Sequence, residues 1–145
     1  MGEDIFRPKV LFLCTGNSCR SQMAEGWLNH LKAEKFVAYS AGIENRGIDP
    51  LAVKVMADEG VDISRQWSKK LSQLTVIPDF VVTVCASAAR NCPQLEAQSK
   101  KVHVVFNDPP EMALAANSEA EILNCYRNVR DEIKSFVENI EDYLK

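Results

Sequence analysis

Lys9-Val-Leu-Phe-Leu-Cys14-Thr-Gly-Asn-Ser-Cys-Arg20-Ser-Gln-Met-Ala-Glu-Gly26 is the stretch that decides the fold of this chain. From Lys9 to Leu13 it is short, apolar and stopped by a loop containing a glycine, which is the pattern of a buried strand. Behind the loop, Met23, Trp27 and Leu31, with Ala24 and Leu28, recur at helical spacing. Strand, loop and helix in that order open a strand–helix–strand unit.

Working outward, the alternation continues. A second strand is expected over residues 36–40, stopping at Ala41-Gly42. Asp49-Pro50 supplies a cap and a first-turn proline for a helix with Leu51, Ala52, Val55 and Met56 on one face, closed by Gly60. Trp67, Leu71 and Leu74 suggest a short helix. Further strands are expected over residues 80–84 and 102–106. Ser118 followed by Glu121 is a capping-box pattern, and behind it Ile122, Tyr126, Val129, Ile133 and Ile140 form a long apolar stripe. Strands alternating with helices imply an α/β fold: one domain over 1–145, with a four-stranded parallel sheet in the order 2-1-3-4 and helices on both faces. In such sheets, sites form at the carboxyl ends of the strands near the switch in strand order. Cys14, Ser40, Cys85 and Asp108 all fall at that edge.

The 145 residues are enough for one domain with a proper core. A net charge of −3 argues against a nucleic-acid partner. The acidic N-terminus has no signal-peptide pattern and no run reaches membrane-spanning length, so a cytoplasmic protein is expected. In that compartment the five cysteines (14, 19, 85, 92 and 125) are not a static disulfide framework, which leaves metal binding, redox chemistry or burial as their readings.

Cys14 and Arg20 frame a Cys-x5-Arg loop between a strand and a helix. Such a loop turns backbone N–H groups inward as a cradle for a tetrahedral oxyanion, here over Thr15, Gly16, Asn17, Ser18, Cys19, Arg20 and Ser21. Arg20 adds a planar fork of donors, and the same dipoles favour the thiolate of Cys14, the reactive form.

The segment Cys14 to Gly26 resembles the active-site loop of the low-molecular-weight tyrosine phosphatase superfamily, and within it the thioredoxin-coupled arsenate reductases. The likeness runs on through Tyr39-Ser-Ala-Gly-Ile43, Val81-Val-Thr-Val-Cys85, Asn91-Cys-Pro93, Asp108-Pro109 and Val129-Arg-Asp-Glu-Ile133, while the stretch between Pro110 and Ser118 is longer than the family usually has. The resemblance implies a phosphatase-I-like fold and a relay. In it, Cys14 attacks arsenate, Asp108 protonates the departing oxygen, Cys85 attacks Cys14, and Cys92 attacks Cys85. External thioredoxin then reduces the Cys85–Cys92 disulfide, with glutaredoxin and glutathione as the alternative reductant. Phosphate or sulfate would bind as analogues, no cofactor or metal is bound, and a monomer is expected. Were residues 85–92 one helix, the two α-carbons would lie about 10 Å apart at ~1.5 Å per residue. A disulfide tolerates no more than about 7 Å, so the segment is expected to unwind on oxidation and to be mobile.

The phosphatase branch usually carries proline where Gln22 stands, an aromatic where Pro110 stands, and aromatics near residues 42–45, none of which this chain has. Some reductases of the family bind potassium through residues matching Asn17, Glu25 and Ser40 plus an acidic group. That last position is Lys69 here, so its ammonium is expected where the ion would lie, paired with Glu25. Cys19 reads as structural and Cys125 as a buried spectator. The rival functions are an aryl-phosphate phosphatase working through a Cys14 phosphoenzyme, which has no use for Cys85 and Cys92, and a thiol-based metal binder, for which the cysteine spacings are poor.

Overall fold

The computed structural model describes residues 6–85 and 99–144. Four strands, β1 (Lys9–Cys14), β2 (Val37–Gly42), β3 (Phe80–Thr83) and β4 (Lys100–His103), form one sheet in the order β2-β1-β3-β4, every pair parallel. The helices are α1 (Arg20–Leu31), α2 (Pro50–Ala57), α3 (Pro109–Ala113), α4 (Glu119–Glu138) and α5 (Ile140–Tyr143).

Central strand β1 owes its place to composition: Val10, Leu11, Phe12 and Leu13 are all fully buried, so both of its faces are covered. It pairs with β2 from Lys9↔Val37 to Cys14↔Gly42 and with β3 from Val10↔Phe80 to Leu13↔Thr83. Helices α1, α2 and α4 lock together through polar contacts as well as apolar ones. Trp27 Nε1 donates to the Arg130 carbonyl at 3.2 Å, and Arg130 Nη1 donates to the Val55 carbonyl at 2.9 Å. Asp49 caps α2 by accepting from the Leu51 N–H at 2.9 Å, and Gly60, at φ +77°, closes the turn beyond it.

Several boundaries differ from the sequence reading. Strand β2 runs on through Ala41-Gly42, because Gly42 still pairs with Cys14, so Ser40 lies within the strand and not at its end. Strand β4 starts two residues earlier than expected and stops at His103; its pairing to Phe80–Thr83, and not apolarity, sets its span. The short helix expected near residues 67–74 is only a 3₁₀ turn over Leu71–Gln73: Leu71 and Leu74 are half-buried against the core, while Trp67 is 55% exposed. The box at the start of α4 is one-sided. Ser118 Oγ accepts from the Glu121 N–H at 3.2 Å, but the Glu121 carboxylate accepts from the Asn117 N–H at 2.7 Å instead of that of Ser118. Cys125 is half-buried, not buried.

Candidate active site

The loop between β1 and α1 is held by its carbonyls. Cys14 O accepts from the Ile43 N–H, Thr15 O from Glu44, Gly16 O from Arg46, Ser18 O from Asp49 and Cys19 O from Met23, at 2.8–3.2 Å. Asn17 O accepts from Gln22 Nε2 at 3.0 Å. With every carbonyl from 14 to 19 directed into the protein, the N–H groups are left for the other side. Among the described residues, those of Gly16, Asn17, Ser18 and Cys19 donate to no protein acceptor. This is the arrangement an oxyanion requires. Gly16, Ser18 and Cys19 line a cavity of about 300 Å³ with Cys14, Thr15, Arg20, Arg46, Asp108 and Pro110.

Asn17 makes the turn possible. It sits at φ 48°, a left-handed conformation that asparagine tolerates better than most residues. Its side chain is fixed by what surrounds it. Oδ1 accepts from the Lys69 backbone N–H at 2.9 Å and from Gln22 Nε2 at 3.0 Å, so Nδ2 must be the donor to Ser21 Oγ at 2.9 Å. The Ser21 hydroxyl, accepting there, has its proton free for Cys14 Sγ at 2.8 Å. One backbone N–H thus dictates, through an amide and a hydroxyl, that the cysteine sulfur receives a hydrogen bond. Gln22, fully buried, extends the network to the Trp67 carbonyl at 3.1 Å and accepts from Gln66 Nε2 at 2.9 Å.

Gly42 and the loop touch directly. A Cβ at residue 42 would lie 2.7 Å from the Asn17 nitrogen and 2.8 Å from the Thr15 carbonyl, both backbone, so no side chain fits.

Arg20 donates through Nη1 to the Phe106 carbonyl at 2.9 Å, and its Nη2 lies 3.7 Å from the Asp108 carboxylate. Asp108 occupies the position before α3, yet its side chain makes no cap bond and lines the cavity. Cys85 is buried, with Sγ 3.4 Å from Thr15 Oγ1, so a third sulfur, besides Cys14 and Cys19, adjoins the loop. Cys92 and the segment expected to unwind fall among residues 86–98, outside the described residues. Burial pushes the Cys19 thiol well above its ordinary range, with the Asp49 and Asp108 charges adding to the effect, so Cys19 stays protonated beside Cys14.

Behind the loop, Lys69 is 7% exposed and its Nζ donates to the Ser40 carbonyl at 2.8 Å, while Ser40 Oγ donates to Glu25 Oε1 at 2.5 Å. Burial raises the Glu25 carboxyl and lowers the Lys69 ammonium, each partly offset by the other's charge. Asn17, Glu25, Ser40 and Lys69 therefore cluster behind the loop, but the expected Lys69–Glu25 pair is not direct: Ser40 stands between them, its carbonyl on the ammonium and its hydroxyl on the carboxylate. Among the described residues, no group of three or more His, Cys, Asp or Glu side chains is placed to hold a metal ion.

Sequence reading missed Gln22, Gln66 and Arg46 as site-building residues. Only Gln22 carried a signal, standing where the resembling phosphatases have proline.

A parallel α/β sheet that carries a buried cysteine above an inward-facing cradle of N–H groups and an arginine defines a cysteine-based, oxyanion-handling protein. The low molecular weight phosphotyrosine protein phosphatase family matches residues 9–145, and the chain belongs to that family. The chain is 46% identical over 134 residues to an arsenate reductase of Halalkalibacterium halodurans, covering 89% of this chain and 94% of that one. It also resembles the solved structure of an arsenate reductase in the reduced state, at 31% identity and TM-score 0.72, covering 95% and 99% of the two chains. An arsenate reductase solved in a phosphate-binding state matches at 30% identity and TM-score 0.68, covering 92% and 95%.

Proposed function

We propose that this chain reduces arsenate to arsenite by a relay of three cysteines. One observation carries the choice of reduction over hydrolysis: Cys85 Sγ stands 3.4 Å from Thr15 Oγ1 of the oxyanion loop, a sulfur beyond Cys14 and Cys19 for which hydrolysis has no use. The similarity to proteins named arsenate reductase supports it.

The chemistry follows from the groups present. Cys14, as thiolate, attacks the arsenic of a bound arsenate, which the loop N–H groups and Arg20 orient. Asp108 gives a proton to the departing oxygen. Cys85 then attacks the Cys14 sulfur. The S–As bond breaks, its electron pair leaves with arsenic as arsenite, and a Cys14–Cys85 disulfide remains. Cys92 attacks Cys85 and frees Cys14. Thioredoxin, as a dithiol, returns the Cys85–Cys92 disulfide to thiols, the chain acting in the cytoplasm as a monomer. Among the described residues, no helix is long and apolar enough to cross a membrane.

The Lys69 ammonium supplies the positive charge behind the loop that a potassium ion would otherwise bring. Potassium in place of sodium is expected to change neither activity nor melting temperature; a clear gain from potassium would refute this assignment.

The deciding experiment is a single turnover of reduced, desalted protein with arsenate, followed by thiol counting and disulfide mapping. Two thiols should be lost and Cys85 joined to Cys92. Full thiol retention alongside rapid hydrolysis of an aryl phosphate would return the protein to phosphatase chemistry.

A further inference from the structure

The cavity holds a second arginine that the relay does not use. Arg46 lines it together with Cys14, Ser18 and Asp108. Its backbone N–H donates to the Gly16 carbonyl at 2.9 Å, and its aliphatic stem lies over the loop. A Cβ on Gly16 would come within 2.7 Å of Arg46 Cδ, so the absent side chain at 16 makes room for that stem. The guanidinium is thereby held at the cavity rim. It is paired with Glu44, with Nε at 2.8 Å and Nη2 at 2.7 Å from the same oxygen, Oε2. Both side chains are more than half exposed, at 60% and 56%, and an exposed pair of this kind is weak enough to exchange.

Charge accounting says what it would exchange for. A tetrahedral oxyanion carrying two charges brings more negative charge into this small cavity than a single arginine offsets. Arg20 is partly committed, with Nη1 on the Phe106 carbonyl and Nη2 facing Asp108. The loop N–H groups contribute only partial charges.

We infer that Arg46 is a second anion-binding arginine, held at the rim by Glu44 and transferred to an oxyanion oxygen when a tetrahedral oxyanion enters. The inference rests on the oxyanion-binding part of the proposed function, and not on the reduction step. Glu44 acts as a gate of opposite sign: it steadies the guanidinium beforehand and competes with the anion for it. Arg46 therefore bears on capture of the anion, hence on KM, while Arg20 and Cys14 bear on the chemical step.

Inorganic phosphate is the probe, read by its protection of Cys14 from iodoacetamide. R46M keeps a stem over Gly16 and removes the charge. It should weaken phosphate protection about tenfold, the scale of one lost charge-assisted contact, and raise KM for arsenate in parallel with little change in kcat. R46K should fall between, having charge without the fork. E44Q should tighten phosphate about threefold. The melting temperature of each variant without phosphate should stay close to that of the unaltered protein. A large change there would mean that Arg46 merely shapes the loop, and would overturn the inference. So would phosphate protection of R46M within twofold of the unaltered protein. Should R46M not fold, E44Q decides, and unchanged phosphate affinity in it overturns the inference. Phosphate binding that responds as expected in a protein unable to reduce arsenate would sink the reductase reading and leave Arg46 in its role.

Discussion

The two halves of the sheet are built differently. Strands β1 and β2 pair over six residues each, and the loop between β1 and α1 rests on a buried polar network of Asn17, Ser21, Gln22, Gln66 and Lys69. Strands β3 and β4 pair over four residues, and three of the four positions in β4 are exposed. The thick half carries the groups that must not move: the cradle and the Cys14 sulfur. The thin half carries Cys85, which in the proposed relay must change partners twice. Rigidity is placed where an anion is oriented, while Cys85 ends a buried stretch whose outer neighbour is the short, exposed β4.

The strongest way to break this comparison is at the travelling sulfur. Cys85→Ser should lower kcat for arsenate by about 10³-fold or more, and leave phosphate protection of Cys14 intact. Loss of phosphate protection as well would show that Cys85 belongs to the rigid half. The next largest effect is expected behind the loop. Lys69→Met removes the buried hydrogen bond to the Ser40 carbonyl and the nearby charge that offsets the burial of Glu25, and should cost about 2 kcal/mol of unfolding free energy in urea titration. A cost below about 1 kcal/mol would mean that Glu25 is already neutral in the fold. Its pH signature tests the same point. Because burial raises the Glu25 carboxyl, the folded state holds this proton at a pH where the unfolded chain has lost it. Stability from this group therefore rises as pH falls from the raised value toward about 4.5, and Glu25→Gln should remove that slope.

Smaller effects lie at the edges of the rigid half. Tyr126→Phe removes the hydrogen bond from the tyrosine hydroxyl to Asp49 Oδ2 at 2.6 Å, which ties α4 to the cap of α2, and should cost about 1 kcal/mol by thermal melting. Least of all is Glu141→Gln, which removes a partly exposed pair with Lys32. Chiefly through that ammonium, the Glu141 carboxyl is held down to about 2. Its stabilisation is present above about 4.5 and lost as pH falls toward about 2, the opposite slope to Glu25, with an amplitude of roughly 0.5 kcal/mol.

The unequal halves were also unequally legible. Lys9 to Gly26 announces strand, cradle and helix because apolar spacing, a glycine and an arginine coincide within eighteen residues. The α4 helix shows itself by its stripe and its cap. By contrast, the bounds of β4 and the loop role of Trp67 depend on pairing and packing between distant segments, which local spacing does not encode. Lys69 was legible only by its register with a resembling family. Arg46 was not legible at all, since nothing in Glu44-Asn-Arg46 tells that Gly16, thirty residues earlier, will open a place for its stem.

Strand β1 is hydrogen-bonded on both sides and its four apolar residues are fully buried, so it belongs to the last part of the molecule to open. Cys14 ends that strand. The chemistry is therefore tied to the most persistent backbone the protein has, and heat should find no step at which the cradle fails first. Loss of anion binding on warming should coincide with global melting, instead of preceding it as at sites carried on marginal loops.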